Sequence, residues 1–123
     1  MVDDDRNLAS LTKTVLVKKG YEVVLIHDSL RVIEELKKQK PHLILMDIMM
    51  PQLSGAEVVK LLRRDPELMD IPVVFLTGLI SGEEELEKEG VNIEGRNYQS
   101  LGKPYEIDHL LKVIENALSK PRK

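Results

Sequence analysis

Apolar residues recur every three to four positions in four stretches of the chain, a spacing that predicts amphipathic helices. Residues that typically start or stop a helix flank these stretches. Gly20 follows the first stretch, Asp28 or Ser29 can cap the second, and Asp65 with the following proline stops the third. We therefore expect helices over about residues 8–19, 29–37, 55–65 and 107–118.

A serine followed three residues later by a glutamate is the capping-box spacing that opens a helix. This spacing occurs at Ser54 and Glu57, at the start of the third expected helix. It occurs again at Ser81 and Glu84, where it predicts a further short, acidic helix.

Three short apolar runs lie between the expected helices: residues 23–26 (VVLI), 43–46 (LILM) and 73–76 (VVFL). Unbroken apolar runs of this length are typical of parallel strands that are covered by helices on both faces. A last strand is expected to finish near Gly102, directly before the last helix. The pattern predicts the α/β class with a doubly wound parallel sheet.

Length, charge and cysteine content narrow the possible functions. We expect one domain over residues 1–123, with a polar tail at residues 119–123. The net charge of -3, with both signs interspersed, gives no basic surface for nucleic acid. Cysteine is absent, which is typical of a reducing compartment, and every apolar run is too short to cross a membrane. We interpret the chain as cytoplasmic, without direct binding to nucleic acid or membrane.

Polar residues follow the predicted strands at the points where the strands end. Asp47 follows LILM, Thr77 follows VVFL, and Lys103 lies where the last strand should finish. Asp3 and Asp4 come directly before the first helix, where another strand end is expected. The carboxyl ends of parallel strands share one edge of the sheet, and ligands of α/β proteins bind there.

The residues expected at this edge suit phosphoryl chemistry. Clustered carboxylates favour a hard cation such as Mg²⁺. When the charge of Asp3 and Asp4 is balanced in this way, Asp47 can act as an oxygen nucleophile towards phosphorus. Thr77 by a hydrogen bond and Lys103 by its charge can then contact the equatorial oxygens of the phosphoryl group.

Over essentially its whole length the chain resembles the receiver domains of two-component response regulators. The resemblance rests on four segments in the order of the family: VDDD at residues 2–5, DIMMPQLSG at 47–55, VVFLTG at 73–78 and GKP at 102–104. It implies a flavodoxin-like sheet of five parallel strands in the order 2-1-3-4-5.

The resemblance also implies a function. Asp47 would accept a phosphoryl group from a sensor histidine kinase or a histidine phosphotransfer protein, and the domain would signal by a conformational change. Such a domain is not an enzyme beyond its own phosphorylation and slow dephosphorylation. The implied cofactor is Mg²⁺, and the implied ligands are Asp4, Asp47 and the backbone carbonyl of Met49, with Asp3 acting mainly through water.

Three further features follow from the same resemblance. The Lys103–Pro104 bond would be cis, which only a bond before proline reaches easily. The side chains two positions after the phosphorylated Asp and two after the Thr flank the path of the hydrolytic water in receivers. Here they are Met49 and Leu79, both apolar, which predicts slow self-dephosphorylation.

The start of the chain departs from the family pattern. Only Met1 and Val2 precede Asp3 and Asp4, whereas receivers have a full apolar strand there. We expect the first strand to be largely truncated, which would leave a gap with unpaired backbone groups. Either the true start lies upstream, which we favour, or another segment or chain fills the gap. Asp3 and Asp4 are then expected to hang from a loose end and to bind Mg²⁺ weakly.

The segment between Thr77 and Lys103 is longer than is usual in receivers. Residues 91–100 (VNIEGRNYQS) are expected to form an extended turn or a short hairpin before the last strand. Where the family has a Tyr or Phe that changes position on activation, this chain has Ser100. Tyr98 lies on the same face of a strand as Ser100, and whether it takes over this role is open.

Other functions are compatible with the same fold class. A flavodoxin-like binding module needs a phosphate-cradling first loop, where DDDRN is acidic, and a haloacid-type phosphatase has a second acid where this chain has Met49. The serious alternative is a pseudo-receiver that binds proteins without being phosphorylated. In either case output requires a downstream protein target or an effector domain missing from this chain. His27, His42 and His109 show no metal-ligand spacing.

Overall fold

The computed structural model of the chain describes residues 1–77, 91–102 and 105–119. The four helices predicted in these ranges are present, and a short 3-10 turn (Ser29–Arg31) precedes the second. The acidic helix predicted from Ser81 lies outside the described residues. The helices are α1 (Arg6–Lys18), α2 (Val32–Lys38), α3 (Gly55–Arg64) and α4 (Ile107–Ser119).

Local hydrogen bonds explain where these helices begin. The Asp5 carboxylate caps α1 by accepting a hydrogen bond from the Leu8 N–H at 3.1 Å, so Asp5 is a helix cap. Asp28 caps the 3-10 turn before α2, and Ser54 with its partner glutamate forms the complete capping box at α3. At the other end of α1, Gly20 adopts the left-handed conformation with φ of 96° that glycine favours.

The strands of the described residues form a parallel sheet and a separate hairpin. The strands are β1 (Ile44–Asp47), β2 (Val73–Thr77), β3 (Val91–Ile93), β4 (Arg96–Tyr98) and β5 (Ser100–Gly102). The sheet has the order β1-β2-β5, and β3 pairs with β4 in antiparallel orientation. Asp47 lies opposite Leu76, and Thr77 lies opposite Gly102, so the three carboxyl ends share one edge.

The start of the chain lies inside the sheet and pairs with both of its neighbours. The Val2 N–H donates to the Leu45 C=O at 2.7 Å, and the Val2 C=O accepts from the Asp47 N–H at 2.8 Å. On the other side the Asp3 N–H donates to the Ile26 C=O at 3.1 Å. These pairings complete the order 2-1-3-4-5 of the flavodoxin-like fold. The expectation of a loose end is therefore wrong for Asp3, which is buried and bonded to its neighbouring segment.

Residues 23–26 do not form the strand that their apolar run predicts. Only Ile26 makes a parallel bridge, and its partner is Val2. A strand needs a continuous partner, and the bridge between Val2 and Ile26 is an isolated one. The Met1 amino group donates to the Val24 C=O at 2.8 Å, and burial lowers the pKa of this amino group to about 6. Met1 and Val2 also line a cavity that lies between residues 20–24 and residues 39–45.

The segment from residue 91 to residue 98 forms the short hairpin that its sequence predicts. Its main anchor is Tyr98, which is buried against Phe75 with the two rings edge to face and their centroids 5.6 Å apart. The Tyr98 hydroxyl accepts a hydrogen bond from Nε of Arg63 at 2.8 Å, and Arg63 also donates to the Ile71 C=O at 3.0 Å. The hairpin is thus attached to α3 by an arginine.

Helices cover both faces of the sheet with two separate apolar clusters. The α2–α3 cluster includes Leu36, Met46, Val59, Leu62, Phe75 and Tyr98. The α1–α4 cluster includes Leu16, Leu45, Leu76, Leu101, Leu110 and Ile114. Beside the second cluster the hydroxyl groups of Thr12 and Tyr105 are hydrogen-bonded at 2.7 Å, which connects α1 to the segment before α4.

Candidate functional site

Three carboxylates meet at the carboxyl edge of the sheet. They belong to Asp3, Asp4 and Asp47, and one oxygen of each lies within 4.8 Å of the others. Asp3 and Asp47 are buried, whereas Asp4 is exposed. The pairing of Val2 with Met46 explains the meeting, because it places the residues after Val2 beside the end of β1. The structure therefore brings together three of the predicted site residues.

Besides its backbone N–H bond to Ile26, further hydrogen bonds hold Asp3 in this position. Its carboxylate accepts from the Asp5 N–H at 2.9 Å. Its backbone carbonyl lies 2.9 Å from Nδ1 of His27. A carbonyl oxygen can only accept, so Nδ1 carries the proton in this bond. By this bond His27, which lies in the neighbouring segment, holds the backbone at Asp3.

The segment after β1 turns back over Asp47. The Met49 N–H donates to the Asp47 carboxylate at 3.2 Å, and the Gly55 N–H donates to the Ile48 C=O at 2.8 Å. Gly55 lies so close that a Cβ atom there would overlap the Asp47 carbonyl oxygen and reach 3.0 Å from the Ile48 Cα. The first residue of α3 therefore sets the position of the Asp47 backbone.

A buried serine anchors the loop that follows Asp47. The Ser29 hydroxyl donates to the Pro51 C=O at 2.9 Å and accepts from the Leu53 N–H at 3.2 Å. Between these two residues Gln52 adopts a left-handed conformation with φ of 70°, which is uncommon for a residue other than glycine. The serine thus stabilises a tight loop at the edge of the site.

Thr77 is buried at the end of β2, beside β1. Its hydroxyl oxygen has no hydrogen-bond partner within residues 1–77, 91–102 and 105–119. Gly102 pairs with Thr77 on its other side, and Lys103 is the next residue in the chain. Lys103 and Pro104, with their predicted cis bond, lie outside the described residues, as does Leu79.

The cluster of three carboxylates suits a hard divalent cation. Mg²⁺ prefers oxygen ligands and usually keeps several waters beside one or two carboxylates. Two of the three carboxylates are buried, where like charges repel strongly, and the exposed Asp4 leaves one side open to water. The donor chemistry therefore fits Mg²⁺. Met49, whose carbonyl the family resemblance adds to the ligands, has a side chain that is 71% exposed.

Two positioning residues were missed by the sequence reasoning. His27 had no predicted part in a metal site, and Ser29 was considered only as a helix cap. His27 is not a member of the carboxylate cluster, but it holds the Asp3 carbonyl. The available signal was that both residues follow the apolar run at 23–26, as Asp47 and Thr77 follow theirs.

The strand order and the position of the acidic edge place the chain in the class of flavodoxin-like α/β domains. Within that class, residues 1–115 match the family of response regulator receiver domains. The chain belongs to this family.

Individual relatives agree with this assignment. The polar-differentiation response regulator DivK of Brucella anthropi is 31% identical over 119 residues, which are 96% of this chain and 93% of DivK. The chemotaxis protein CheY4 of Vibrio cholerae has a TM-score of 0.78 at 28% identity, over 95% of this chain and 94% of that one. The receiver domain of the Francisella response regulator 1452 has a TM-score of 0.77 at 26% identity, over 95% and 92%.

Membership of this family is consistent with a role in two-component signalling. Receiver domains are typically non-catalytic signalling modules that bind Mg²⁺ at an acidic pocket. They interact with histidine kinases and with downstream targets. Among the described helices, none has the length and apolar composition needed to cross a membrane.

Proposed function

We propose that Asp47 accepts a phosphoryl group from a sensor histidine kinase or a histidine phosphotransfer protein. The observation that supports this proposal best is the convergence of three carboxylates within 4.8 Å, with Asp47 buried among them. Such an arrangement opposes folding unless a cation balances it. With a cation present, it provides an oxygen nucleophile in a partly water-excluded place.

The proposed transfer uses few groups of the protein. A carboxylate oxygen of Asp47 attacks the phosphorus, a new O–P bond forms, and the P–N bond to the donor imidazole breaks. The imidazole nitrogen keeps the electron pair of that bond and takes up a proton. The Thr77 hydroxyl, a buried donor at the same edge, is proposed to bond a phosphoryl oxygen, and Lys103 is proposed to supply positive charge.

Mg²⁺ is the proposed cofactor of this site. The proposed ligands are Asp4, Asp47 and the backbone carbonyl of Met49, with Asp3 acting mainly through water. When bound, the cation supplies charge neutralisation for the carboxylates and the phosphoryl oxygens. The hydrogen bonds from the Asp5 N–H and from His27 support this role, because they keep Asp3 beside Asp47 before any cation binds.

We propose further that residues 1–123 act as a single receiver domain in the cytoplasm, with residues 119–123 as a polar tail. The absence of cysteine supports this location. Output then passes to a downstream protein target or to an effector domain.

Phosphorylation by a small-molecule donor tests the proposed role of Asp47. The chain is incubated with acetyl phosphate and Mg²⁺, and its intact mass is measured. We expect the wild type to gain one phosphoryl group and Asp47→Asn to gain none, while Asp70→Asn, which changes an exposed acid, behaves like the wild type. Equal labelling of wild type and Asp47→Asn would contradict the proposal. A folded wild type that is never labelled would favour the pseudo-receiver alternative.

A further inference from the structure

A buried hydroxyl group interrupts the apolar face of α1. Thr12 is 1% exposed and lies between Ala9 and Leu16, the other buried residues of this helix. A hydroxyl group in such surroundings costs free energy unless it is hydrogen-bonded. The Thr12 hydroxyl lies 2.7 Å from the hydroxyl of Tyr105, 93 residues further along the chain. Valine is branched in the same way and needs no hydrogen-bond partner, so packing alone does not require a threonine here.

Thr14 shows the other bond that a threonine in a helix can make. Its side chain is exposed, and its hydroxyl donates to the Ser10 C=O at 3.0 Å, four residues back in α1. That bond stays within one turn of the helix. The bond of Thr12 instead connects α1 to the segment that leads into α4. Thr14 is therefore a matched control for Thr12 in the same helix.

Tyr105 comes soon after the end of β5. Gly102, the last residue of β5, lies opposite Thr77 in the parallel register. Lys103 is the next residue after Gly102, and Tyr105 is two residues after Lys103. The chain is thus attached to the sheet on one side of Lys103 and to α1 on the other. Four consecutive residues span at most about 11 Å between their end Cα atoms, so the position of Tyr105 limits where Lys103 can lie.

The hydroxyl group of Tyr105 adds direction to an apolar contact. The ring packs against the α1–α4 cluster, which has Leu16 and Leu110 among its members. Apolar packing is not directional, whereas a hydrogen bond fixes both a distance and an angle. The bond to Thr12 therefore defines the position of the tyrosine more closely than packing does. Phenylalanine at this position would keep the packing and lose the bond.

The same helix is also attached to the carboxylate cluster. Asp5, the residue that caps α1, donates its N–H to the Asp3 carboxylate at 2.9 Å. Thr12 lies about 10 Å further along the helix, which is two turns. α1 therefore contacts the acidic edge at its start and Tyr105 near its middle. Two turns of one helix hold these two contacts at a fixed spacing.

We propose that Thr12 and Tyr105 are positioning residues for phosphoryl transfer to Asp47. Their bond ties the segment that carries Lys103 to α1, and α1 in turn is tied to Asp3. Neither residue touches the reacting atoms. The bond instead keeps the lysine ammonium group within reach of the phosphoryl oxygens, so that its charge is in place when the O–P bond forms. The role of this bond rests on the proposed function, to which it adds two residues outside the carboxyl edge.

Removal of either hydroxyl group tests this role. Thr12→Val and Tyr105→Phe keep the packing and lose the bond, while Thr12→Ser keeps a hydroxyl group. Labelling by acetyl phosphate with Mg²⁺ is followed as intact mass against time. We expect Thr12→Val and Tyr105→Phe each to label about three to thirty times more slowly than the wild type, and the double variant to be no slower than the slower of the two. Thr12→Ser and the control Thr14→Val should label at nearly the wild-type rate.

Two further measurements separate positioning of Lys103 from a general loss of stability. The first repeats Thr12→Val in a Lys103→Ala background, over a longer incubation. There it should change the labelling rate by less than about twofold, because the group that the bond positions is gone. The second is the dissociation constant of Mg²⁺, obtained from thermal melts at increasing Mg²⁺ concentration, which Thr12→Val should leave unchanged.

Labelling of Thr12→Val and Tyr105→Phe at the wild-type rate would overturn this role and leave that of Asp47 intact. An equal slowing by Thr12→Val with and without Lys103 would also overturn it, and so would an equal slowing by Thr14→Val or a weakened affinity for Mg²⁺. If Thr12→Val does not fold, Tyr105→Phe in both backgrounds decides. A wild type that is never labelled would overturn the proposed function itself, and the positioning role with it.

Discussion

Single residues at the carboxyl edge act through contacts with backbone atoms. His27 holds the Asp3 carbonyl, Ser29 holds a carbonyl of the loop after β1, and Gly55 leaves room for the Asp47 carbonyl. None of these three residues takes part in the proposed chemistry, but each positions a residue or a loop that does. The site is therefore expected to be sensitive to substitutions outside its reacting groups.

Gly55→Ala is expected to disturb both stability and phosphorylation. The added Cβ atom would overlap the Asp47 carbonyl oxygen, and overpacking of this kind usually costs about 1 to 3 kcal/mol of unfolding free energy. Displacement of Asp47 should also slow its labelling by acetyl phosphate. Denaturant titration measures the first effect, and intact mass against time measures the second.

The control for this substitution is Gly20→Ala. Gly20 has open space around it but a φ of 96°, so alanine there strains the backbone without touching the site. We expect Gly20→Ala to lose stability and to keep the wild-type rate of labelling. Slower labelling in both variants would show that the effect at Gly55 comes from general destabilisation.

An ion pair between α2 and the end of α3 leads to a pH dependence. Lys37 Nζ lies 3.0 Å from the Asp65 carboxylate, and the hydrogen bond from this ammonium group lowers the pKa of Asp65. A carboxyl group whose pKa is lowered by folding stabilises the fold above its unfolded pKa, and this stabilisation is lost as the pH falls through the folded pKa. Lys37→Met should therefore be less stable than the wild type near neutral pH and equal to it in acid.

Denaturant titrations across a pH series measure this difference. Lys38→Met is the matched control, because Lys38 is more exposed and its nearest carboxylate, on Glu35, is 3.5 Å away within the same helix. We expect little difference between this control and the wild type at any pH. A stability loss of Lys37→Met that persists in acid would mean that the lysine stem, and not the ion pair, is responsible.

The Met49 side chain predicts a long-lived phosphorylated state. It is 71% exposed, next to the loop over Asp47, and it cannot orient water. Met49→Asn supplies a polar group at this position and is expected to speed the loss of phosphate after the donor is removed. Met69→Asn, at an exposed methionine of another segment, should leave the rate unchanged. Identical rates of phosphate loss in Met49→Asn and the wild type would show that Met49 does not determine the lifetime of the phosphorylated state.

At the scale of elements, the sequence predicts what depends on neighbours along the chain. The helices were predictable because their start and stop signals, such as the capping box at Ser54, lie within one turn. The strand expected at residues 23–26 is absent, because a strand depends on continuous pairing and this run makes a single isolated bridge, from Ile26 to Val2. The contact of Arg63 with Tyr98, 35 residues later, left no local signal.

Tyr98→Phe tests how strongly this contact holds the hairpin. The substitution removes the oxygen that accepts from Arg63 and keeps the ring packed against Phe75. We expect a loss of about 1 to 2 kcal/mol of unfolding free energy, because the arginine donor loses its partner. Hydrogen exchange of the β3 and β4 amides should become faster at the same time.

The contact between Arg63 and Tyr98 can also be tested by changing Arg63, with the neighbouring Arg64 as the control. Arg63→Lys is expected to lose at least as much stability as Tyr98→Phe, since an ammonium group cannot reproduce the planar set of donors. Among the residues that the structure describes, the ion pair of Arg64 is an exposed one with Glu94 at 3.1 Å, so Arg64→Lys should change stability by less than about 0.5 kcal/mol. Equal losses in both lysine variants would contradict a specific role for Arg63.

At the scale of the whole molecule, the fold places two apolar clusters on opposite faces of one sheet and the acidic site at its edge. The α/β class and this edge were predictable, because unbroken apolar runs that end in polar residues carry that information in the sequence. The closeness of the three carboxylates depends on how Val2 pairs with Met46, which is a property of the folded sheet.

Because Asp3, Asp4 and Asp47 lie close together, one substitution is expected to have opposite effects on stability without and with a bound cation. Asp3→Asn removes a buried negative charge and keeps an oxygen for the Asp5 N–H. In the presence of a chelator it should therefore be more stable than the wild type. At a Mg²⁺ concentration 100 times the dissociation constant of the wild type, the wild type should gain about 2.7 kcal/mol of unfolding free energy. At the same concentration Asp3→Asn should gain clearly less.

Thermal melts with EDTA and with Mg²⁺ measure both effects. Asp70→Asn serves as the control, since it removes an exposed charge outside the cluster. A stabilisation by Mg²⁺ that is as large in Asp3→Asn as in the wild type would exclude Asp3 from cation binding, direct or through water.

The α1–α4 cluster joins Leu16 of α1 to Leu110 and Ile114 of α4, far apart along the chain, and this has a consequence for synthesis. The α2–α3 cluster can be completed once residue 98 has been made, whereas the α1–α4 cluster is complete only after Leu101 and α4 exist. Chains emerge from the ribosome with the N-terminus first, so α1 is made well before α4, which completes the cluster. The bond between Thr12 and Tyr105 then closes a loop of 93 residues, a late step in folding. A nascent chain that stalls before α4 keeps the apolar face of α1 open to chaperones and proteases.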